Sequence, residues 1–170
     1  MVWLKLIKKL FKALNAEASP SEIAGGVILG CIIGLTPTFT LHNLIVVFLI
    51  IILKVNISAA IFSSILFGIL GFAVDPLSHF IGQKLLLFDW LTPFWTALYN
   101  MPIIALSKFN NTIVLGSLII SIIIMLPLFK TTKKLVIKYR EKLKYRVEKL
   151  KIIQILKSSK IYQLYRKVKI

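Results

Sequence analysis

Long apolar runs separated by short polar breaks dominate this 170-residue sequence. Residues 41–53, 57–74 and 113–129 contain no Lys, Arg, Asp or Glu and leave no broad polar face. A soluble protein needs polar residues on its outside, and a buried core helix explains one such run but not a succession of them. The pattern therefore predicts an all-α, polytopic membrane protein.

Caps and helix breakers divide the apolar block into short helices. Ser19-Pro20-Ser21-Glu22 has the residues of a capping box with proline at the first helical position, which predicts a helix from Pro20 to about Leu35. Thr36-Pro37 ends it, and a second helix from Pro37 to Lys54 completes a hairpin over 20–54. The elements expected next are helices 57–74 and 77–88, an interfacial segment 89–111 and a transmembrane helix 112–129.

The depth of this hairpin stays open from sequence alone. A helix of 16 residues spans roughly 24 Å, whereas the hydrocarbon core of a bilayer is about 30 Å thick. A re-entrant hairpin and two full crossings are therefore both compatible with its length.

Charge is concentrated at the two ends of the chain. The net charge is +16, and residues 130–170 carry fifteen Lys and Arg against two Glu, whereas residues 25–129 hold only five charged side chains. Residues 1–18 and 130–170 are predicted to be basic amphipathic helices flanking a membrane domain at 19–129. Basic flanks favour a multi-pass protein of the bacterial inner membrane with both termini cytoplasmic, and its expected partners include anionic lipid headgroups at the tail.

Gly26, Gly30 and Gly34 lie four residues apart and therefore share one face of the first helix, here called the glycine ridge. Small residues let helix backbones approach closely in hydrocarbon, where burial of apolar surface gives no drive for association. Gly68 and Gly71 give the third helix a similar packing surface. The ridge predicts a membrane-protein partner or a homo-oligomer.

Two polar breaks, at Thr36-Pro37 and Asp75-Pro76, share one pattern. In each, glycines precede a polar residue and a proline, and a histidine follows within a few positions. If both interrupt helices, their helix N-termini can attract an anion, as in transporters with paired broken helices. They can also be plain loops at the membrane surface. The candidate binding residues, including a later interfacial asparagine, are Thr36, Pro37, His42, Asn56, Asp75, Pro76 and His79.

No enzyme class is indicated by the sequence. It lacks a phosphate-binding loop, a dinucleotide fingerprint and a nucleophile elbow, and Cys31, His42 and His79 do not have the spacing of zinc ligands. We expect no catalytic residues, no metal and no cofactor, and nucleic acid is not an expected partner.

The same residues resemble those of a small bacterial inner-membrane family known only as a domain of unknown function. The resemblance covers residues 19–87 and rests on a Pro-x-x-Ile-Ala start, a small-residue helix ending in Gly-x-x-Pro, and a later Asn. Where that family has a Gln and an Asn-Pro, this chain has His42 and Asp75-Pro76. The resemblance implies a multi-helix protein of the cell envelope and no established activity.

These observations lead to one main hypothesis and two alternatives. The main hypothesis is a non-enzymatic accessory subunit of a cell-envelope or lipid-handling complex. The first alternative is a small transporter or flippase for an anionic lipid or anion, which uses the paired breaks. The second is a ribosome-associated insertion helper, which uses the basic tail.

Overall fold

The computed structural model describes residues 18–143, and every regular element in that range is a helix. A 3₁₀ turn, Asp89–Leu91, follows the third helix, and a π-helical turn, Tyr139–Leu143, ends the described chain. The predicted all-α class is confirmed. The predicted helix over 1–18 and most of the tail 130–170 lie outside the described residues. In chain order the α-helices are α1 (Pro20–Leu35), α2 (Leu41–Ile52), α3 (Ile57–Leu86), α4 (Thr92–Tyr99), α5 (Pro102–Ala105) and α6 (Thr112–Lys138).

The start of α1 forms as its sequence predicts. Ser19 Oγ accepts a hydrogen bond from the Glu22 backbone N–H, and Glu22 Oε2 accepts one from the Ser19 N–H, both at 3.2 Å. This capping box satisfies backbone donors that the first turn of a helix leaves without partners. The helix ends at Leu35, before Thr36-Pro37, also as predicted.

The second helix begins later than the sequence predicts. It starts at Leu41 rather than Pro37, because residues 37–40 form the turn of the hairpin. Phe39 has a positive φ of 61°, a conformation that a helix cannot contain. Thr36 is the C-terminal cap of α1.

The glycine ridge of α1 packs against α3 of the same chain. From Gly26 to Gly34 the ridge meets progressively later residues of α3, so the two helices run in parallel. Ser63 Oγ also donates a hydrogen bond to the Val27 carbonyl at 2.6 Å, which joins the same two helices. A Cβ atom on each ridge glycine would collide, in order, with the carbonyl oxygen of Asn56, Ala60 and Ser64.

This packing corrects the expectation that the ridge binds a partner protein. The ridge is already covered by α3, and Gly68 and Gly71 of α3 face the end of the ridge at Gly34. The spacing of the glycines identified a packing face. It did not identify the helix that occupies this face, because that contact joins residues about 30 positions apart.

The sixth helix runs antiparallel to α3 and closes a three-helix core. Gly82 approaches the Thr112 backbone, and Gly116 approaches the backbone of Ser78 so closely that neither glycine has room for a Cβ atom. At the opposite end of the core, buried Val136 clusters with Ile23 of α1 and Ala59 of α3. Helices α1, α3 and α6 therefore form the core, and α2 packs on its edge through buried Val46, which clusters with Leu29 and Ile32 of α1.

The predicted break at Asp75-Pro76 is wrong. Helix α3 is continuous over 30 residues and contains Pro76 in its interior. Proline removes one backbone hydrogen bond, but ending a helix in apolar surroundings would leave several backbone groups without partners. Close packing of Ser78 and Gly82 on α6 holds the second half of α3 in place.

The last long helix begins at Thr112, as predicted, and runs past its predicted end. Asn111 Oδ1 accepts hydrogen bonds from the backbone N–H groups of Ile113 and Val114, at 2.9 and 3.2 Å. The helix was expected to stop at Phe129, but α6 continues through Pro127 to Lys138. The membrane domain and the start of the basic tail therefore share one helix.

Of the helices that the structure describes, two are long and apolar enough to cross a membrane, Ile57–Leu86 and Thr112–Glu141. The second comprises α6 and the first part of the π-helical turn. In the most apolar 18-residue stretch of each helix, only 22% and 28% of the residues, respectively, are buried within the fold. Most residues of each apolar stretch are therefore not fully buried, whereas the core helix of a soluble protein is mostly buried.

We predict that one of two glycine-to-alanine substitutions at the α1–α3 interface destabilises the fold and that the other does not. In Gly34→Ala the new Cβ would lie 2.6 Å from Ser64 O and 2.8 Å from Gly68 N, so the backbones must separate. Overpacking of this kind costs about 1–3 kcal/mol. In the control Gly68→Ala the nearest atom, Gly34 O, is 3.8 Å away. Thermal unfolding in detergent should show a lowered midpoint for Gly34→Ala alone, and equal midpoints would contradict the packing.

Candidate functional site

The turn between α1 and α2 holds most of the polar side chains predicted as a site. Thr36 and Thr40 are 3% and 5% exposed, and Asn43 is 8% exposed, so three polar side chains are buried at the tip of an apolar hairpin. Buried polar groups are costly unless they are paired. Their partners therefore decide whether the tip is a structural knot or an open binding site.

These side chains bind one another and the turn backbone. Thr36 Oγ1 lies 2.7 Å from the Ile32 carbonyl oxygen and 2.8 Å from Asn43 Oδ1. Asn43 Nδ2 donates to the Pro37 carbonyl at 2.9 Å. Asn43 thus ties the first turn of α2 to the end of α1. Sequence analysis missed it because nothing in its spacing separates it from an ordinary interfacial asparagine.

His42 occupies the edge of this tip. It is half-buried, and its Nε2 lies 3.0 Å from Thr40 Oγ1. Phe39, by contrast, is 91% exposed and projects from the apex of the turn. The tip therefore combines a satisfied polar interior with an apolar apex, an arrangement suited to hydrocarbon rather than to capture of a polar ligand.

The second predicted motif is built differently. Asp75 and Pro76 lie inside continuous α3, so they do not form a helix N-terminus that faces a ligand. His79 lies on the same helix, and its Nδ1 is 2.7 Å from Thr112 Oγ1 at the start of α6. This histidine joins α3 to α6.

The structure thus does not bring the two motifs together as paired broken helices. One break, at Thr36-Pro37, is real, and the other is absent. The two histidines bind different threonines, Thr40 and Thr112, on different elements. The geometric premise of the transporter alternative is therefore wrong.

Asn56 caps a helix and closes the base of the hairpin. Its Oδ1 accepts from the Ala59 backbone N–H at 2.8 Å, and its own N–H donates to the Glu22 carbonyl at 2.9 Å. Glu22 also forms a 3.7 Å ion pair with Lys54. The two ends of the hairpin are held side by side, and Glu22, which had been assigned only a capping role, links them.

Positive side chains gather at this same end of the fold. Arg140 Nη2 donates to the Ala18 carbonyl at 2.8 Å, which places the end of α6 beside the start of α1. We call this region the basic end. In the described chain it also contains Lys54, Lys130, Lys133, Lys134 and Lys138.

The described residues offer little else in the way of a chemical centre. Within residues 18–143 there is no cluster of three or more His, Cys, Asp or Glu side chains placed to hold a metal ion. A cleft of about 380 Å³ lies at the far end of α3, between Gln83, Lys84, Leu87 and Phe88. It is a broad surface depression and contains none of the predicted site residues.

We predict that the buried hydroxyl of Thr36 stabilises the hairpin tip. Thr36→Val keeps the shape of the side chain but leaves Asn43 Oδ1 without its 2.8 Å donor. A buried polar group that loses its partner costs about 1–3 kcal/mol. Thr38→Val is the matched control, because Thr38 is exposed in the same turn. Thermal unfolding should show a lower midpoint for Thr36→Val only; a structural role for this hydroxyl is excluded if both variants behave as wild type.

Comparison with known proteins shows the family of this chain and gives no activity. An uncharacterized protein of Treponema pallidum (strain Nichols) is 26% identical over 137 residues, which cover 81% of this chain and 85% of that protein. No solved structure matches the chain. A bacterial family described as "Uncharacterized protein conserved in bacteria (DUF2062)" matches residues 4–144, a longer stretch than the 19–87 on which the resemblance rested. The chain belongs to this family.

Proposed function

We propose that this chain is an integral protein of the bacterial inner membrane that acts as a non-enzymatic accessory subunit of a cell-envelope or lipid-handling complex. The observation that carries the proposal is the apolar surface left on the outside of the fold. Phe48 and Ile51 of α2 are 61% and 72% exposed, Phe72 of α3 is 80% exposed, and Ile123 and Leu126 of α6 are 66% and 68% exposed. Exposed apolar side chains on three helices support contact with lipid or with another membrane protein.

The basic end supports an orientation for the protein. Lys130, Lys133 and Lys134 are exposed on α6 at the end of the fold where Arg140 meets Ala18. Lys and Arg next to membrane helices favour the cytoplasmic side and attract anionic headgroups. We therefore place this end at the cytoplasmic surface and propose anionic phospholipid as its ligand.

The packing of the core changes where a protein partner can bind. The glycine ridge is occupied by α3, and α6 packs against Gly82 on another part of α3. Within the described chain, the apolar surfaces that remain are the outer faces of α2, α3 and α6. We propose that a membrane partner, or a second copy of this chain, contacts these faces in competition with lipid.

The first test distinguishes a protein inserted in the membrane from one bound only to the membrane surface. Alkaline carbonate should leave the protein in the membrane pellet, because the apolar faces of three helices hold it there. Extraction into the supernatant would overturn the proposal.

The second test is mass spectrometry of the protein in native membrane patches, with identification of co-isolated proteins and lipids. A stoichiometric protein partner is expected, together with enrichment of an anionic phospholipid such as phosphatidylglycerol. Neutralising the basic end with Lys133→Gln and Lys134→Gln should lower that enrichment several-fold. The control Lys84→Gln, which removes an exposed lysine at the end of α3 far from the basic end, should leave the enrichment unchanged. Equal enrichment in all three proteins, with no partner, would contradict the proposed role.

A further inference from the structure

We infer that the α1–α2 hairpin enters only the half of the membrane nearest the basic end, so that the outer face of α2 contacts the acyl chains of that one leaflet. This inference rests on the membrane location proposed above. It depends on three features of the structure: the register of α1 on α3, the charge limits on α6, and the chemistry of the hairpin tip.

The register shows how far along α3 the hairpin reaches. Gly34, near the end of α1, packs at the level of Ser64 and Gly68. A Cβ atom added to Gly71 would lie 3.4 Å from the Gly34 carbonyl oxygen, so Gly71 is also close to the end of α1. Helix α3 continues from there to Leu86. Fifteen further residues extend it about 22 Å beyond the hairpin tip.

The charges on α6 show where the apolar layer lies. Gly82 meets Thr112 and Gly116 meets Ser78, so each step along α6 corresponds to a step backward along α3. Continuing this antiparallel register places Lys130, the first charged residue of α6, opposite about Ser64. At the other end Lys84 of α3 and Lys108, just before α6, mark the limit of the layer. Twenty residues separate Ser64 from Lys84, or about 30 Å, the thickness of a hydrocarbon core.

The tip lies in the near half of that layer. Its neighbours Gly68 and Gly71 are only four to seven residues beyond Ser64, which is about 6–10 Å of helix. Long lysine side chains can bring their ammonium groups back toward the surface, which moves the boundary somewhat further toward the basic end. Even so, the tip stays far from Lys84.

The chemistry of the hairpin fits this depth. Residues 23–53 contain no Lys, Arg, Asp or Glu. The buried polar groups at the tip are paired, as Thr36 with Asn43 and Asn43 with the Pro37 carbonyl. The charged pair Glu22–Lys54 lies at the base, where both ends of the hairpin meet. A hairpin with a satisfied tip and a charged base can enter hydrocarbon from one side and return.

The consequence is an asymmetric lipid surface. Of the described helices, four lie near the basic end, namely α1, α2, α3 and α6. From the level of the tip toward Lys84, α3 and α6 continue and α1 and α2 do not. The acyl chains of the leaflet at the basic end meet a wider protein. The first half of α2, next to the tip, supplies the extra contact through Leu44, Ile45 and Phe48, which are exposed.

Asp75 defines the competing arrangement. It lies four residues beyond Gly71 and is half-buried. If the far membrane surface lay at Asp75, the tip would reach that surface and the hairpin would cross the membrane twice. The residue accessible at the tip therefore distinguishes the two arrangements.

Labelling with a membrane-impermeant maleimide tests the inference, in spheroplasts and in inside-out vesicles. The background is Cys31→Ser, and single cysteines are placed at exposed sites by F39C at the tip, K54C at the base and W90C beyond α3. We expect K54C to react from the cytoplasmic side, W90C from the opposite side, and F39C from neither side until detergent is added. T38C, in the same turn, replaces F39C if that variant does not accumulate.

Each other outcome is decisive. Reaction of F39C from the side that labels W90C means that the hairpin crosses, which overturns the inference but leaves membrane insertion intact. Reaction of F39C from the K54C side as fast as K54C itself means that the hairpin lies outside the bilayer, which also overturns it. Release of the protein by alkaline carbonate instead removes the proposed function.

Discussion

The close approach of α1 and α3 along the glycine ridge is the contact on which the rest of the structure depends. Any side chain at Gly26, Gly30 or Gly34 would meet backbone atoms of α3, so the ridge sets both the distance between the helices and their register. In an apolar solvent there is no hydrophobic gain from pairing helices, and backbone proximity with its dispersion contacts takes its place. The register then determines where the hairpin tip lies and which faces of α2 and α3 remain exposed.

Most polar residues that looked available for binding are occupied inside the fold. Asn56 caps α3 and binds Glu22, and His79 binds Thr112. Thr36 belongs to the paired group at the hairpin tip. What the described chain offers to its surroundings is apolar surface and the positive charge of the basic end. The proposed role therefore rests on surfaces that lipids and a membrane partner can contact, rather than on a pocket.

Local signals in the sequence predicted local structure well. The Ser19 capping box, the end of α1 and the start of α6 at Thr112 all depend on residues within a few positions of one another, and all three are found. Predictions that depended on distant residues did less well. A proline such as Pro76 normally interrupts a helix, but packing of Ser78 and Gly82 on α6, 30 or more positions away, keeps α3 continuous. The partner of the glycine ridge could not be identified for the same reason, and Gly82 and Gly116 have no regular spacing that marks them as packing residues.

The register of the hairpin on α3 can be measured directly by electron–electron distance spectroscopy in lipid nanodiscs. A spin label at Phe39 is paired in turn with labels at Ile61, Phe72 and Gln83, which are exposed and, at eleven-residue spacing, share one face of α3. Because the tip lies beside Gly68 and Gly71, we expect the shortest distance from Phe39 to Phe72, with longer distances to Ile61 and Gln83. A shortest distance to Gln83 would place the tip at the far end of α3, and would contradict the parallel register set by the glycine ridge.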